Sequence, residues 1–97
     1  MALVERERPE QVIEGVGRRV AEIRRALGWT QQEAAEHLRM PLKNLQRIEA
    51  GMNLTLRTLT RVASGLGVRA RALLDEPAST ARRTRGRPKT PRPKVAR

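Results

Sequence analysis

Apolar residues at helical spacing run through the first part of the chain. They are Ile13, Val16, Val20, Ile23 and Leu27. Their separations of three or four positions, with charged residues between them, predict a helix with one buried face. We expect this helix to begin near Pro9, Glu10 and Gln11, because proline suits a first helical turn, and to be closed by Gly28.

Two shorter amphipathic segments follow, and residues 39–41 separate them. The first is predicted over residues 30–38, because Thr30 and Glu33 form a capping-box pattern. The second is predicted over residues 41–49, since proline disfavours the helical conformation of the residue before it and suits the start of a new helix. The residues expected to face inward are Ala34, Ala35, Leu38, Leu45 and Ile48.

A fourth helix is predicted between Thr55, which can cap its start, and Gly67, which can end it. Its apolar stripe consists of Leu56, Leu59, Val62, Ala63 and Leu66. A short fifth helix is expected over about Ala70 to Leu74. The chain has one Trp and neither Phe nor Tyr, so its core must be aliphatic, which favours packed helices over a sheet.

These elements predict an all-α fold: a compact five-helix domain with a basic tail. We expect a flexible N-terminus over residues 1–8, a folded domain over residues 9–76 and a disordered tail over residues 77–97. Residues 78–97 contain eight Arg or Lys residues, three prolines and almost nothing apolar, so the tail cannot bury enough surface to offset the entropy of ordering.

The positive charge is concentrated in that tail. Of the net charge of +11, the eight basic residues of the tail leave 13 basic and 10 acidic groups in residues 1–77, or +3. A block of one sign suggests a polyanionic partner, and nucleic acid is favoured over membrane because no amphipathic apolar face accompanies the charge.

Other classes of protein find little support in the sequence. Cysteine is absent, no apolar run approaches a membrane span, and the N-terminus lacks the apolar stretch of a signal peptide, so we expect a cytosolic protein. His37 is the only histidine, which argues against a metal site. No catalytic constellation or phosphate-binding loop is present, and we expect no enzyme activity, cofactor or small-molecule ligand.

The ordered fragments "GRRVAEIRR", "GWTQQEAAEHL", "LQRIEAG", "LTLRTLTRVASGLGV" and "ALL" lie within residues 17–74. With these fragments the chain resembles the phage repressor and Cro-like helix-turn-helix family, also called the XRE family, with the motif at about residues 30–50. The resemblance implies a compact all-α domain that binds double-stranded DNA, often as a homodimer on a two-fold symmetric site. In such motifs the second helix presents its N-terminal turn to base edges in the major groove.

The resemblance also implies roles for individual residues. The positions that correspond to the base-contacting surface are Leu42, Lys43, Gln46 and Arg47. Those assigned to DNA phosphates are Gln31, Gln32, Arg39 and Asn44.

Three positions depart from the pattern of the family. Arg39 occupies a turn where glycine is common, because the backbone there can need a positive φ. Pro41 replaces a Ser or Thr cap. Leu42 stands where polar residues commonly read bases, and it can pack on a thymine methyl, act as a spacer or contact another protein.

The tail contains a second DNA-binding pattern, which resembles the AT-hook core. It consists of Arg85, Gly86, Arg87, Pro88 and Lys89. Two Arg side chains suit the narrow minor groove of A·T tracts, where the negative potential is enhanced. The alternative is a non-specific arm that follows DNA phosphates by counterion release.

The sequence therefore favours a sequence-specific transcriptional regulator of bacterial or phage type, located at the nucleoid, with repression by occlusion as the simplest mechanism. One alternative is a protein-partner module, such as an antitoxin or a regulator of another transcription factor. A second alternative is an architectural DNA-binding or RNA-associated protein in which the tail dominates.

Overall fold

The computed structural model describes residues 6–75 and residue 77, and this part of the chain is helical throughout, with no strand. The elements are α1 (Pro9–Ala26), α2 (Gln31–Leu38), α3 (Leu42–Gly51), α4 (Leu56–Leu66) and a 3₁₀ helix (Ala70–Leu74). The predicted all-α fold is confirmed, but the fifth segment is a 3₁₀ helix and not an α-helix. In the described residues no helix is both long enough and apolar enough to cross a membrane.

Local sequence signals set several helix ends where they were predicted, whereas α3 spans Leu42–Gly51 and not residues 41–49, with Pro41 just before its first turn. Pro9 is the first residue of α1. At the start of α2 the Thr30 hydroxyl accepts a hydrogen bond from the Glu33 amide at 3.0 Å, and the Thr30 amide donates to the Glu33 carboxylate at 2.8 Å. This reciprocal pair is the predicted capping box. Thr55 caps α4, and Gly67 ends it with a φ of 79°.

The core is aliphatic and is shared by all five elements. Its largest fully buried side chains are Leu45, Ile48, Leu73, Val20 and Val62. Burying a side chain of this size contributes about 1.5–3 kcal/mol. Leu73 belongs to the 3₁₀ helix, which packs against α1 and α4, so this short element completes the core beside those two helices.

Two helices cross closely at a glycine. A Cβ at Gly17 in α1 would lie 2.6 Å from the carbonyl oxygen of Ile48 and 2.8 Å from that of Glu49. Only a residue without a side chain permits this approach. Gly17 therefore sets the distance between α1 and α3.

The predicted stripes were wrong at their ends. Leu56 is 76% exposed and Leu27 is 44% exposed. Leu56 is the first residue of α4, and helical side chains point toward the N-terminus, so this one projects past the end of its helix and away from the core. Pro77, which was assigned to the tail, is buried. Residues 1–5, 76 and 78–97, with the rest of the predicted tail, lie outside the described residues.

Candidate nucleic-acid interface

The turn between α2 and α3 has the backbone conformation that its position in the motif predicts. Arg39 adopts the left-handed conformation with a φ of 56°, and it is the one non-glycine residue with a positive φ in the described part of the chain. The Met40 amide then donates to the Ala35 carbonyl at 3.0 Å, which satisfies a carbonyl at the end of α2. Pro41 precedes α3 without a side-chain cap. Arg39 is exposed beside this turn, and its contact with a phosphate stays a prediction.

Helix α3 separates into a buried and a polar face. Leu45 and Ile48 are buried in the core, whereas Lys43, Gln46 and Arg47 are exposed. Lys43 and Arg47 are four residues apart and share a side of the helix. Asn44 is also exposed. Neither Lys43 nor Arg47 has an ion-pair partner among the described residues, so both cations are available to a ligand.

Leu42 differs from its expected outward orientation. It is half-buried and packs against the core, as does Met40 in the preceding turn. The predicted reading surface thus has three exposed members, Lys43, Gln46 and Arg47.

The two glutamines at the start of α2 already make contacts within the protein. Gln31 donates its amide Nε2 to the Glu49 Oε1 at 3.0 Å, and its Oε1 accepts from the Gln46 Nε2 at 3.5 Å. Gln32 donates to the Glu36 carboxylate at 3.1 Å. A primary amide has two N–H donors, so Gln31 carries a second N–H besides the one that binds Glu49 and fixes its orientation.

A buried ion pair lies beneath Gln31 and Gln46. The Arg24 Nε donates to the Glu49 Oε2 at 2.7 Å, and the Nη2 donates to the Oε1 at 3.1 Å. The Nη1 of Arg24 donates to the Trp29 carbonyl at 2.9 Å. Two parallel bonds to one carboxylate form a strong and directional pair. It joins α1 to α3 and supports the carboxylate that orients Gln31.

Sequence reasoning missed this pair. Arg24 was assigned to the polar positions of its helix, yet it is only 8% exposed. The available signal was helix phase, because Arg24 lies four residues after the buried Val20 and so falls on the same side. The partner carboxylate is 25 residues away in the sequence, and no local pattern identifies it.

Outside the polar edge, His37 in α2 stacks on Trp29. The ring centroids are 4.0 Å apart and the ring planes differ by 7°. This contact packs α2 onto the segment that follows α1. No group of three His, Cys, Asp or Glu side chains able to hold a metal ion occurs within the described residues. The tail residues Arg85, Gly86, Arg87, Pro88 and Lys89 lie outside them.

Known proteins are similar to this chain in sequence and in the arrangement of its helices. The helix-turn-helix family model HTH_3 matches residues 20–73. No curated protein matches the chain.

Three solved structures are similar. The restriction-modification controller protein C.AhdI from Aeromonas hydrophila has 26% identity and a TM-score of 0.59, over 63% of this chain and 94% of its own. A hypothetical transcription factor, NHTF from Neisseria, has 26% identity and a TM-score of 0.63, over 81% of this chain and 93% of its own. An HTH_3 family transcriptional regulator from Vibrio cholerae has 22% identity and a TM-score of 0.64, over 68% of this chain and 38% of its own; at that identity the likeness concerns the fold alone.

Proposed function

Because the chain belongs to the helix-turn-helix family, we propose that it is a transcriptional regulator that binds double-stranded DNA with sequence specificity and represses by occluding promoter DNA. The observation that carries the proposal is the exposed edge of α3, where Lys43, Gln46 and Arg47 stand over the buried Leu45 and Ile48. The core residues hold the helix in place while the polar side chains are exposed to solvent, where bases could be contacted.

The chemistry of that edge suits the major groove. Lys and Arg pair with the O6 and N7 acceptors of guanine, and a good bidentate contact contributes about 1–3 kcal/mol of discrimination against other bases. Gln31 and Gln32 at the start of α2, with Arg39 and Asn44 near the turn, are assigned to phosphates, which set the register of the protein on the duplex. In this proposal Leu42 supports the turn and contributes little to reading.

The similarity to C.AhdI and NHTF supports regulation of transcription over the alternative of a protein-partner module. Both neighbours are matched over more than nine-tenths of their own length. The first is a restriction-modification controller and the second a hypothetical transcription factor, and a similar helix-turn-helix domain suits the same kind of task.

Selection of bound fragments from a genomic library at physiological salt tests this function. The full chain is compared with Lys43→Ala plus Arg47→Ala, and with Arg69→Ala plus Arg71→Ala as a control that removes the same charge near the 3₁₀ helix. We expect a defined motif with the wild type and the control, and loss of the motif with the α3 variant. Tight binding without a motif would point to an architectural role, and absence of DNA binding with a co-purifying protein would point to a partner module.

We also infer that the chain acts as a homodimer, because a two-fold symmetric site requires two copies. Leu56 at the start of α4 and Leu74 at the end of the 3₁₀ helix are the most exposed large apolar residues of the described chain, at 76% and 54%. Sedimentation velocity should give a dimer for the wild type and a shift toward monomer for Leu56→Glu or Leu74→Glu. A monomeric wild type at all concentrations would reject the dimer.

A further inference from the structure

A polar cleft of about 330 Å³ opens between α1 and α3. It lies beside the exposed edge of α3 that carries Lys43, Gln46 and Arg47. Arg18, Ala21 and Arg25 form its α1 wall, and Gln31 and Gln46 line it from the other side. The two arginines are seven residues apart, which is nearly two helical turns, or about 10 Å along one face of α1. Both are exposed, and the small side chain of Ala21 leaves the space between them open.

The positive charge of this cleft is not neutralised from within. Its one carboxylate, Glu49, has both oxygens engaged: Oε2 by Arg24 at 2.7 Å, and Oε1 by Arg24 at 3.1 Å and by Gln31 at 3.0 Å. Arg24 therefore balances Glu49. Neither the Arg18 nor the Arg25 side chain makes a hydrogen bond or ion pair with another described residue. Two guanidinium groups thus face the cleft without a counter-charge, and guanidinium is well suited to binding phosphate.

The cleft is continuous with the surface proposed to meet DNA. Gln31 and Gln46 line the cleft and also belong to the polar edge of α2 and α3. When a helix enters the major groove, the sugar-phosphate backbones pass along both sides of it. A groove wall beside α3 that carries two free arginines therefore lies where one backbone runs.

We propose that the cleft between α1 and α3 binds a backbone phosphate of DNA, held by Arg18 and Arg25. This extends the DNA contact surface to α1, to which sequence analysis assigned no DNA contact. The inference rests on the proposed DNA-binding function. It predicts a contact to the phosphate backbone that is independent of base sequence.

The salt dependence of binding tests the proposal. The full chain is titrated against a fluorescein-labelled 30-base-pair duplex, the most enriched one from the genomic selection, over a series of salt concentrations. Arg18→Gln plus Arg25→Gln is compared with Arg69→Gln plus Arg71→Gln, which loses the same two charges outside the cleft. All four arginines are exposed, and matched thermal unfolding verifies that the variants are folded.

We expect the slope of log K against log salt to become shallower by about 0.9 in the cleft variant, because one phosphate is no longer neutralised by the protein. The control should keep the slope of the wild type. An unchanged slope in the cleft variant, or an equal change in both variants, would overturn the cleft as a phosphate site while the proposed function stands. Failure of the wild type to bind the duplex would overturn both.

Discussion

Glu49→Ala is expected to destabilise the fold strongly. It removes the carboxylate that receives two hydrogen bonds from Arg24 and one from Gln31. The Arg24 side chain is 9% exposed and that of Glu49 is 7% exposed, so the guanidinium would stay buried without its partner. Breaking a buried pair in this way costs about 3–5 kcal/mol.

That loss is large against the stability of so small a domain. At about 0.05–0.15 kcal/mol per residue, a folded domain of roughly 70 residues has a free energy of unfolding of about 4–10 kcal/mol. Urea unfolding, followed by far-ultraviolet circular dichroism, measures the effect. If the free energy of unfolding falls by about 1 kcal/mol per molar of urea, the urea midpoint should fall by about 3 M or more. In the extreme case the variant is unfolded even without urea.

Glu36→Ala is the matched control. It removes the same charge and one hydrogen bond, from Gln32 at 3.1 Å, but at an exposed position of α2. We expect it to change the free energy of unfolding by no more than about 0.5 kcal/mol. The double variant Arg24→Met plus Glu49→Leu removes both buried charges together.

The double variant should be much closer to the wild type than Glu49→Ala, because two apolar side chains can replace a buried pair at little net cost. Its remaining deficit should be about 1 kcal/mol, from the Trp29 carbonyl that loses the hydrogen bond of Arg24. The reasoning fails if Glu49→Ala costs less than about 1 kcal/mol, or if the double variant is destabilised as much as the single one.

Three further predictions concern backbone geometry and the tail. Gly17→Ala should lower the free energy of unfolding by about 1–3 kcal/mol or more, because its Cβ would meet the Ile48 carbonyl oxygen at 2.6 Å. Gly15→Ala in the same helix has its nearest contact at 3.7 Å and should raise the free energy of unfolding by about 0.5–1 kcal/mol. Thermal unfolding of the two variants measures both effects. Arg39→Gly should raise the free energy of unfolding by about 0.5–1 kcal/mol, because glycine adopts a φ of 56° without the strain that a side chain causes. The same change should weaken DNA binding if Arg39 contacts a phosphate. A loss of stability would refute the first part. Removal of residues 78–97 should flatten the salt dependence of DNA binding by ~0.9 for each phosphate that the tail neutralises, and an unchanged slope would reject the tail as a DNA-binding arm.

Features that depend on a few neighbouring residues could be predicted from the sequence. The capping box of Thr30 and Glu33 and the end of α4 at Gly67 each follow from side-chain chemistry within one turn. Their physics is local, because a hydroxyl near an exposed amide, or a glycine at the end of a helix, acts in the same way in many folds. The positive φ at Arg39 was implied instead by the resemblance to the family.

The features that were missed depend on how distant segments meet. Arg24 pairs with Glu49 across α1 and α3, the two helices that approach closely at Gly17. Leu56 has an apolar side chain in the correct phase, but its position at the first residue of α4 directs it to solvent. Periodicity identifies a side of a helix, whereas burial depends on what lies opposite that side at each turn.

Glu49 links the stability of the fold to the orientation of the amides of Gln31 and Gln46, which belong to the proposed DNA-binding surface. From α3 it anchors α1 through Arg24 and aligns Gln31 at the start of α2, which in turn contacts Gln46. Lys43 and Arg47, by contrast, are exposed and make no ion pair with the described residues. On the proposed function, substitutions at those two positions change which bases are read at little cost to folding, whereas changes at Gln31 or Glu49 alter the support of α3.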